Sequence, residues 1–112
     1  MAEVSKKIIK GSGNVFADLG RPEPQEHLLK AQIVAEIAQL LKGRKLTQTQ
    51  AGELMGISQP EVSRMLRGNF REYSVHRLMS FLTAFDRDVD IVIRRRSSDA
   101  SGGAITVKHG AN

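Results

Sequence analysis

The stretch Thr47–Asn69, TQTQAGELMGISQPEVSRMLRGN, constrains the fold more than any other part of the chain. It holds two short helical patterns separated by Gly56, and glycine readily takes the left-handed conformation found just after a helix ends. Thr47 and Ser58 are good N-cap residues, and Pro60 lies in a first turn, where a missing N–H costs little. The stretch therefore predicts two short helices joined by a tight turn.

Apolar side chains give each of these helices one inward face. The apolar positions at helical spacing are Ala51, Leu54, Met55, Val62, Met65 and Leu66. Gly52 lacks a side chain and lets the two helices approach closely, and Glu61 favours the N-terminus of the second helix. A helix, a glycine turn and a second helix with a polar outer face are typical of a helix-turn-helix. The alternative is an ordinary helical hairpin inside a small bundle.

This motif resembles the lambda-repressor-like, or Xre, family of helix-turn-helix domains. The resemblance lies in the pattern TQ…A..L…GI.Q..VS…RG within Thr47–Asn69. The longer pattern, from NVFADLG at Asn14–Gly20 to DVDIVIR at Asp88–Arg94, is similar to the HigA-type antitoxins. The resemblance implies a mainly α, lambda-repressor-like helical bundle that binds DNA, and an antitoxin that represses its own promoter.

The second helix of such a motif lies in the major groove, and its first turns reach base edges. Gln59 can bond adenine, Arg64 can reach guanine or a phosphate, and the short Ser63 can serve either purpose. Pro60 offers only apolar contact, for instance to a thymine methyl group. Gln48 begins the first helix, and in the resembling repressors a glutamine at this position holds a phosphate.

Basic residues around the motif are the candidate phosphate contacts. Arg67 and Asn69 follow the second helix, and Arg44 and Lys45 precede the first helix as weaker candidates. The segment from 43 to 77 holds six Lys/Arg and three acids, a net charge of +3, within a chain of net charge +5. This balance favours an anionic partner such as duplex DNA. For each arginine, a solvated surface charge is the alternative.

Two further helices are predicted on either side of the motif. A long helix begins near Pro24–Glu26 and ends at Gly43, with apolar residues every three or four positions from Leu29 to Leu41. Ser74 caps another helix, whose apolar positions include Leu78, Phe81, Leu82 and Phe85.

The apolar period then changes from helical to two. Val89–Arg94 and Ala104–Lys108 are β-branched runs joined by a glycine-serine turn, which predicts a two-stranded β ribbon. Two strands alone are marginal in water, and their edges invite pairing with another chain. We therefore expect a homodimer formed through the ribbon. The predicted dimerisation residues are Val89, Ile91, Val92 and Ile93.

The predicted organisation has three parts. Residues 1–13 form a flexible basic tail, residues 14–88 the helix-turn-helix domain, and residues 89–112 the C-terminal ribbon. The apolar residues of Asn14–Gly20 are expected to pack on the domain. The N-terminus has no signal peptide and no segment approaches a transmembrane length, which predicts a cytoplasmic protein without a membrane partner.

Enzymatic functions are not expected. The chain has no cysteine, and its three histidines lie far apart without a partner ligand, so we expect no metal, no cofactor and no catalytic residues. The predicted function is a sequence-specific transcriptional regulator that binds double-stranded DNA as a homodimer, with an antitoxin of a type II toxin–antitoxin pair as the preferred subtype. The alternatives are a stand-alone regulator without a toxin, or an interaction protein whose main task is to neutralise a toxin.

Overall fold

A computed structural model describes residues 24–97 and 102–110. The described residues contain four helices, which we number in chain order: α1 (Pro24–Gly43), α2 (Gln48–Met55), α3 (Gln59–Leu66) and α4 (Val75–Ala84). All four were predicted from the sequence, and their bounds agree with the predicted caps. The mainly helical fold class is thereby confirmed.

One apolar core joins the four helices. Helix α1 packs mainly against α4, and α2 packs mainly against α3, while further contacts link α2 to α4 and α1 to α3. The largest fully buried side chains are Ile37, Val62, Met65, Leu78 and Phe85. Every helix except α2 contributes at least one of these side chains, and α2 adds the buried Ala51. The whole bundle therefore fixes the orientation of α3.

The turn between α2 and α3 has the predicted geometry. Gly56 ends α2 in the left-handed conformation, with φ of 78°, and its N–H donates to the carbonyl of Gly52. A Cβ on Gly52 would lie 2.5 Å from the carbonyl oxygen of Ile57, so only glycine fits there without displacing the backbone. The prediction that Gly52 permits a close approach is confirmed.

Leu54 does not lie on the inward face that the sequence predicted for α2. Its side chain is 48% exposed, whereas Ala51 and Met55 are buried. The buried face of this eight-residue helix is narrow. Helix α2 buries only Ala51, Gly52 and Met55, and Gly52 lies close to the backbone of the turn.

The prediction of a C-terminal β ribbon is wrong for the single chain. None of the residues described, 24–97 and 102–110, is in a strand, and no backbone hydrogen bond joins Val89–Arg94 to Ala104–Lys108. The physical reason is that two strands without a third bury too little apolar surface to offset the cost of ordering them. The exposed fractions of Ile91, Val92 and Ile93 are 75%, 77% and 92%.

The second C-terminal segment returns to α1 without forming a strand. Val107 packs against the core, and His109 Nδ1 lies 2.8 Å from Glu36 Oε1. The basic tail predicted at residues 1–13 and the packing predicted for Asn14–Gly20 lie outside the described residues.

Candidate nucleic-acid interface

The N-terminal ends of α2 and α3 are joined by a hydrogen bond between two glutamines. Gln59 Nε2 donates to Gln48 Oε1 over 2.7 Å. After this bond, Gln59 keeps one N–H and its carbonyl oxygen, which are the donor and the acceptor that adenine N7 and N6 require. Gln48 keeps both of its N–H groups, which can donate to a phosphate. The two predicted roles are therefore compatible in the same arrangement.

Capping boxes fix the start of both helices of the motif. Thr47 Oγ1 accepts from Gln50 N, and Gln50 Oε1 accepts from Thr47 N. In α3, Ser58 Oγ accepts from Glu61 N over 3.3 Å, and Glu61 Oε1 accepts from Ser58 N over 2.8 Å. Each box satisfies two N–H groups that a helix start otherwise leaves without a partner. The backbone that carries Gln48 and Gln59 is therefore held rigidly.

The charged carboxylate of Glu61 is hydrogen-bonded at the start of its own helix, α3. The N–H of Ser58 is the largest cause that lowers the pKa of Glu61, followed by the Ser58 hydroxyl and the nearby Arg64 and Arg77 guanidinium groups. The carboxylate therefore stays ionised at the N-terminus of the helix, where the helix dipole favours it. This arrangement agrees with the prediction that Glu61 favours the N-terminus of α3; a contact with cytosine N4 was the alternative.

One face of α3 carries the predicted base contacts. Val62 and Met65 are fully buried, which turns the opposite side of the helix outward. Residues four apart lie on the same face of a helix. The outward side carries Gln59, Pro60, Ser63, Arg64 and Arg67, all of them exposed except Ser63, which is half-buried. The structure thus brings five of the predicted site residues onto one continuous surface, which we call the α3 face.

The end of α3 places the predicted phosphate contact Asn69 next to Arg67, the last residue of the α3 face. Arg67 is the C-cap residue, Gly68 has φ of 107°, and the N–H of Asn69 donates to the carbonyl of Arg64 over 2.9 Å. Both side chains are exposed. The glycine allows the chain to reverse here, so that Asn69 remains close to the helix end.

Arg44 and Lys45 have different surroundings. The guanidinium of Arg44 donates to the carbonyl of Phe85 at the end of α4 and lies over the Phe85 ring, 5.8 Å from its centroid. This contact gives Arg44 a role within the bundle that the sequence did not predict. Lys45 is exposed in the turn before α2, with φ of 55°, and lies two residues from the cap that begins α2.

Arg77 was not among the residues predicted for the interface. Its guanidinium lies over the rings of Phe81 and Tyr73, at 5.3 and 5.9 Å from their centroids. Its charge contributes, as the smallest of the named causes, to the lowered pKa of Glu61 in the first turn of α3. Burial is the largest cause that raises the pKa of Tyr73. The four-residue spacing of Tyr73, Arg77 and Phe81 was the signal in the sequence that this arginine lies across two aromatic rings.

Helix α1 supports the loop that follows α3. Lys30 is only 5% exposed, and its Nζ donates to the carbonyl of Arg71 over 2.9 Å while it pairs with Glu26 at 3.3 Å. The ring of His27 stacks on Phe70, with centroids 5.1 Å apart. The sequence did not single out Lys30, although a lysine three residues before the buried Ile33 was a signal that it lies on the buried face.

Comparison with known proteins agrees with this geometry. Residues 15–94 match the model of a family described as a helix-turn-helix domain. The chain belongs to this helix-turn-helix domain family. A solved structure described as a "Putative XRE Family Transcriptional Regulator" is similar to it, with a TM-score of 0.75 and 31% sequence identity, over 80% of this chain and 100% of the other. No curated protein matches the chain significantly.

Family membership shows that the chain contains a helix-turn-helix domain, but it does not show what this domain binds. Neither comparison names a toxin, and the residues of the α3 face remain predicted DNA contacts. Among the residues that the structure describes, no group of three or more His, Asp or Glu side chains could hold a metal ion. None of the four helices is long and apolar enough to cross a membrane.

Proposed function

We propose that the chain is a sequence-specific transcriptional repressor that binds duplex DNA as a homodimer, without enzymatic activity. Helix α3 lies in the major groove, with Gln59, Ser63 and Arg64 on base edges, and Pro60 beside them. Gln48, Arg67 and Asn69 contact phosphates, and Lys45 and Arg77 add charge near them. The observation that carries this proposal is the bond from Gln59 to Gln48, which orients a base-reading amide and leaves its donor and acceptor for adenine.

The polarity of the α3 face supports DNA over a protein ligand. A face that docks on a protein usually has apolar or aromatic residues at its centre. The α3 face instead carries amides, a hydroxyl, arginines and one proline. These groups are the ones that bond base edges and phosphates.

Selection of bound duplexes from a random pool tests this proposal directly. We expect enriched sites that form an inverted repeat, because a two-fold dimer presents two copies of α3 related by symmetry. The centres of the half-sites should lie about 10 bp, or about 34 Å, apart, or a multiple of that distance. Enrichment of no sequence, or enrichment of single-stranded over duplex DNA, would contradict the proposal.

We also propose the antitoxin subtype, which rests on the resemblance of Asn14–Gly20 and Asp88–Arg94 to the HigA-type antitoxins. The adjacent gene should then encode a small protein that arrests growth when expressed alone. Co-expression of the present chain should restore growth, and the two proteins should copurify. Normal growth with the neighbouring protein alone would leave the stand-alone regulator as the better assignment.

A further inference from the structure

The segment from Asp88 to Arg96 has a charge pattern that is complementary to itself. Acids occupy its first half, at Asp88 and Asp90, and arginines occupy its second half, at Arg94, Arg95 and Arg96, with Val92 at the centre. If two copies align antiparallel about Val92, each Asp90 lies opposite an Arg94 and each Asp88 lies opposite an Arg96. The alignment thus forms four pairs of opposite charge in a dimer.

Other alignments are less complementary in charge. Moving the centre by one residue to Ile91 keeps Asp88 opposite Arg94 and Asp86 opposite Arg96, but it also brings Arg87 opposite Arg95. Like charges directly opposite each other destabilise a strand pair. Moving it to Ile93 leaves Asp90 opposite Arg96 as the acid–arginine pair within the segment and places Asp88 opposite Ser98. A parallel alignment in register places Asp88 and Asp90 opposite themselves.

The same alignment places three apolar side chains on one face and the four paired charges on the other. In a β-strand, successive side chains point to opposite faces. Val89, Ile91 and Ile93 would then share one face, with Arg95 at the end of that face, and Asp88, Asp90, Arg94 and Arg96 would share the other face with Val92. Such a strand needs apolar cover on one side only.

The structure has an apolar surface next to the segment that can cover this face. A cleft of about 960 Å³ lies between the segment and the half-buried apolar side chains of α1 and α4. The apolar side chains of the helices that line it include Leu29, Leu40, Val75 and Met79. In the single chain, Ile91 and Ile93 remain 75% and 92% exposed.

The backbone of the segment is available for pairing. Among the residues described, none of the backbone hydrogen bonds involves residues 88–97. An exposed row of N–H and C=O groups beside β-branched side chains is a template for a strand from another chain. Charge complementarity identifies that other chain as a second copy of this one.

We propose that Asp88–Arg96 pairs antiparallel with the same residues of a second copy, with Val92 on the two-fold axis and the apolar face over the cleft of α1 and α4. This pairing differs from the ribbon within one chain, because it joins the segment to its own copy and leaves Ala104–Lys108 out of the pair. It deepens the proposed function, since it names the surface through which the repressor dimerises.

Charge reversal tests the alignment. In sedimentation equilibrium of the full chain without DNA, Asp90→Arg or Arg94→Asp should raise the dimer dissociation constant on the order of tenfold, because each change replaces two opposite-charge pairs of the dimer by two like-charge pairs. The double variant Asp90→Arg/Arg94→Asp should return to within about threefold of the parent. Arg87→Asp, which makes the same charge change opposite the neutral Ser97, is the matched control and should dimerise like the parent.

Cysteine cross-linking tests the two-fold axis. The chain has no cysteine, so Val92→Cys introduces a single thiol. Directly opposite residues have Cα atoms about 4.5–5.5 Å apart, within the range of a disulfide. The matched control Ile93→Cys places the two thiols two residues out of step, at Cα atoms about 8 Å apart. Mild oxidation should therefore yield a covalent dimer with Val92→Cys and little with Ile93→Cys.

Three results would overturn the inference: a parent chain that stays monomeric, a double charge variant that stays as weak as the single variants, or equal cross-linking at both cysteines. A complex with an unrelated protein in place of the dimer would do the same. The measurements use no DNA, so a chain that dimerises as proposed but binds no duplex contradicts the proposed function alone. A chain that selects an inverted repeat but fails the cysteine test contradicts only the dimer alignment.

Discussion

Gln59 Nε2 lies 2.7 Å from Gln48 Oε1, so the first residue of α3 is hydrogen-bonded to the first residue of α2. The bond links the residue predicted to bind a base with the residue predicted to bind a phosphate. In the proposed binding mode, it would couple the position of α3 in the groove to the position of α2 on the DNA backbone, and removal of either amide should affect both contacts.

Gln59→Ala should cost about 1–3 kcal/mol of binding at a few base positions and leave other positions unchanged. Gln48→Ala should weaken all sequences, because it removes a phosphate contact, and should also reduce the preference at the Gln59 positions by freeing that amide. Binding to the selected operator and to its single-base variants measures both effects. Gln39→Ala, an exposed glutamine on α1, is the matched control. Unchanged operator affinity of Gln59→Ala would show that α3 is not the reading helix.

Arg67→Ala should weaken binding to every sequence by a similar factor. Arg67 is exposed at the C-cap of α3, and the sequence predicts that it contacts a phosphate and not a base edge. The slope of log affinity on log salt, roughly −5 to −7 for the six to eight phosphates expected for a dimer, should become shallower by about 1 for each phosphate contact removed. Arg87→Ala removes an exposed arginine outside the α3 face and should leave the slope unchanged.

Gly52→Ala should destabilise the fold by about 1–3 kcal/mol, because the new Cβ would lie 2.5 Å from the backbone oxygen of Ile57. Urea unfolding measures the loss. Gly43→Ala is a matched control, since a Cβ there meets nothing within 4 Å. Equal stability of the two variants would contradict the close approach of α2 and the turn.

Glu61→Gln should lower stability at neutral pH but not in acid. The Ser58 N–H is the main cause that lowers the pKa of Glu61 below 4.5, so the ionised carboxylate stabilises the fold above that ordinary value. This contribution is lost as the pH falls through the lowered pKa. The difference in urea midpoint between parent and variant should therefore close as the pH falls from 7 to 3. Glu53→Gln, an exposed carboxylate on α2, controls for the loss of a charge alone. A difference that persists undiminished at pH 3 would contradict this account of the cap.

The helices and caps could be predicted from the sequence because their signals are local. Thr47, Ser58 and Ser74 each cap the helix that follows them, through a bond to a residue three positions on. The contacts of Lys30 and Arg44 could not be predicted, because each acceptor carbonyl lies 41 residues away in the chain. The ribbon prediction failed for a related reason. Alternating β-branched residues favour a strand, but whether a strand forms depends on a partner that the local pattern does not specify.

The bond from Lys30 to the carbonyl of Arg71 extends the DNA-binding machinery beyond the motif. Removal of this ammonium would leave the Arg71 carbonyl without this donor and release the loop next to Asn69. Mutations at Lys30 would thus reduce repression from a site that no nucleotide touches. A genetic screen for loss of operator binding should recover changes at the start of α1 together with changes on α3, and the α1 changes should weaken binding to all operator variants alike.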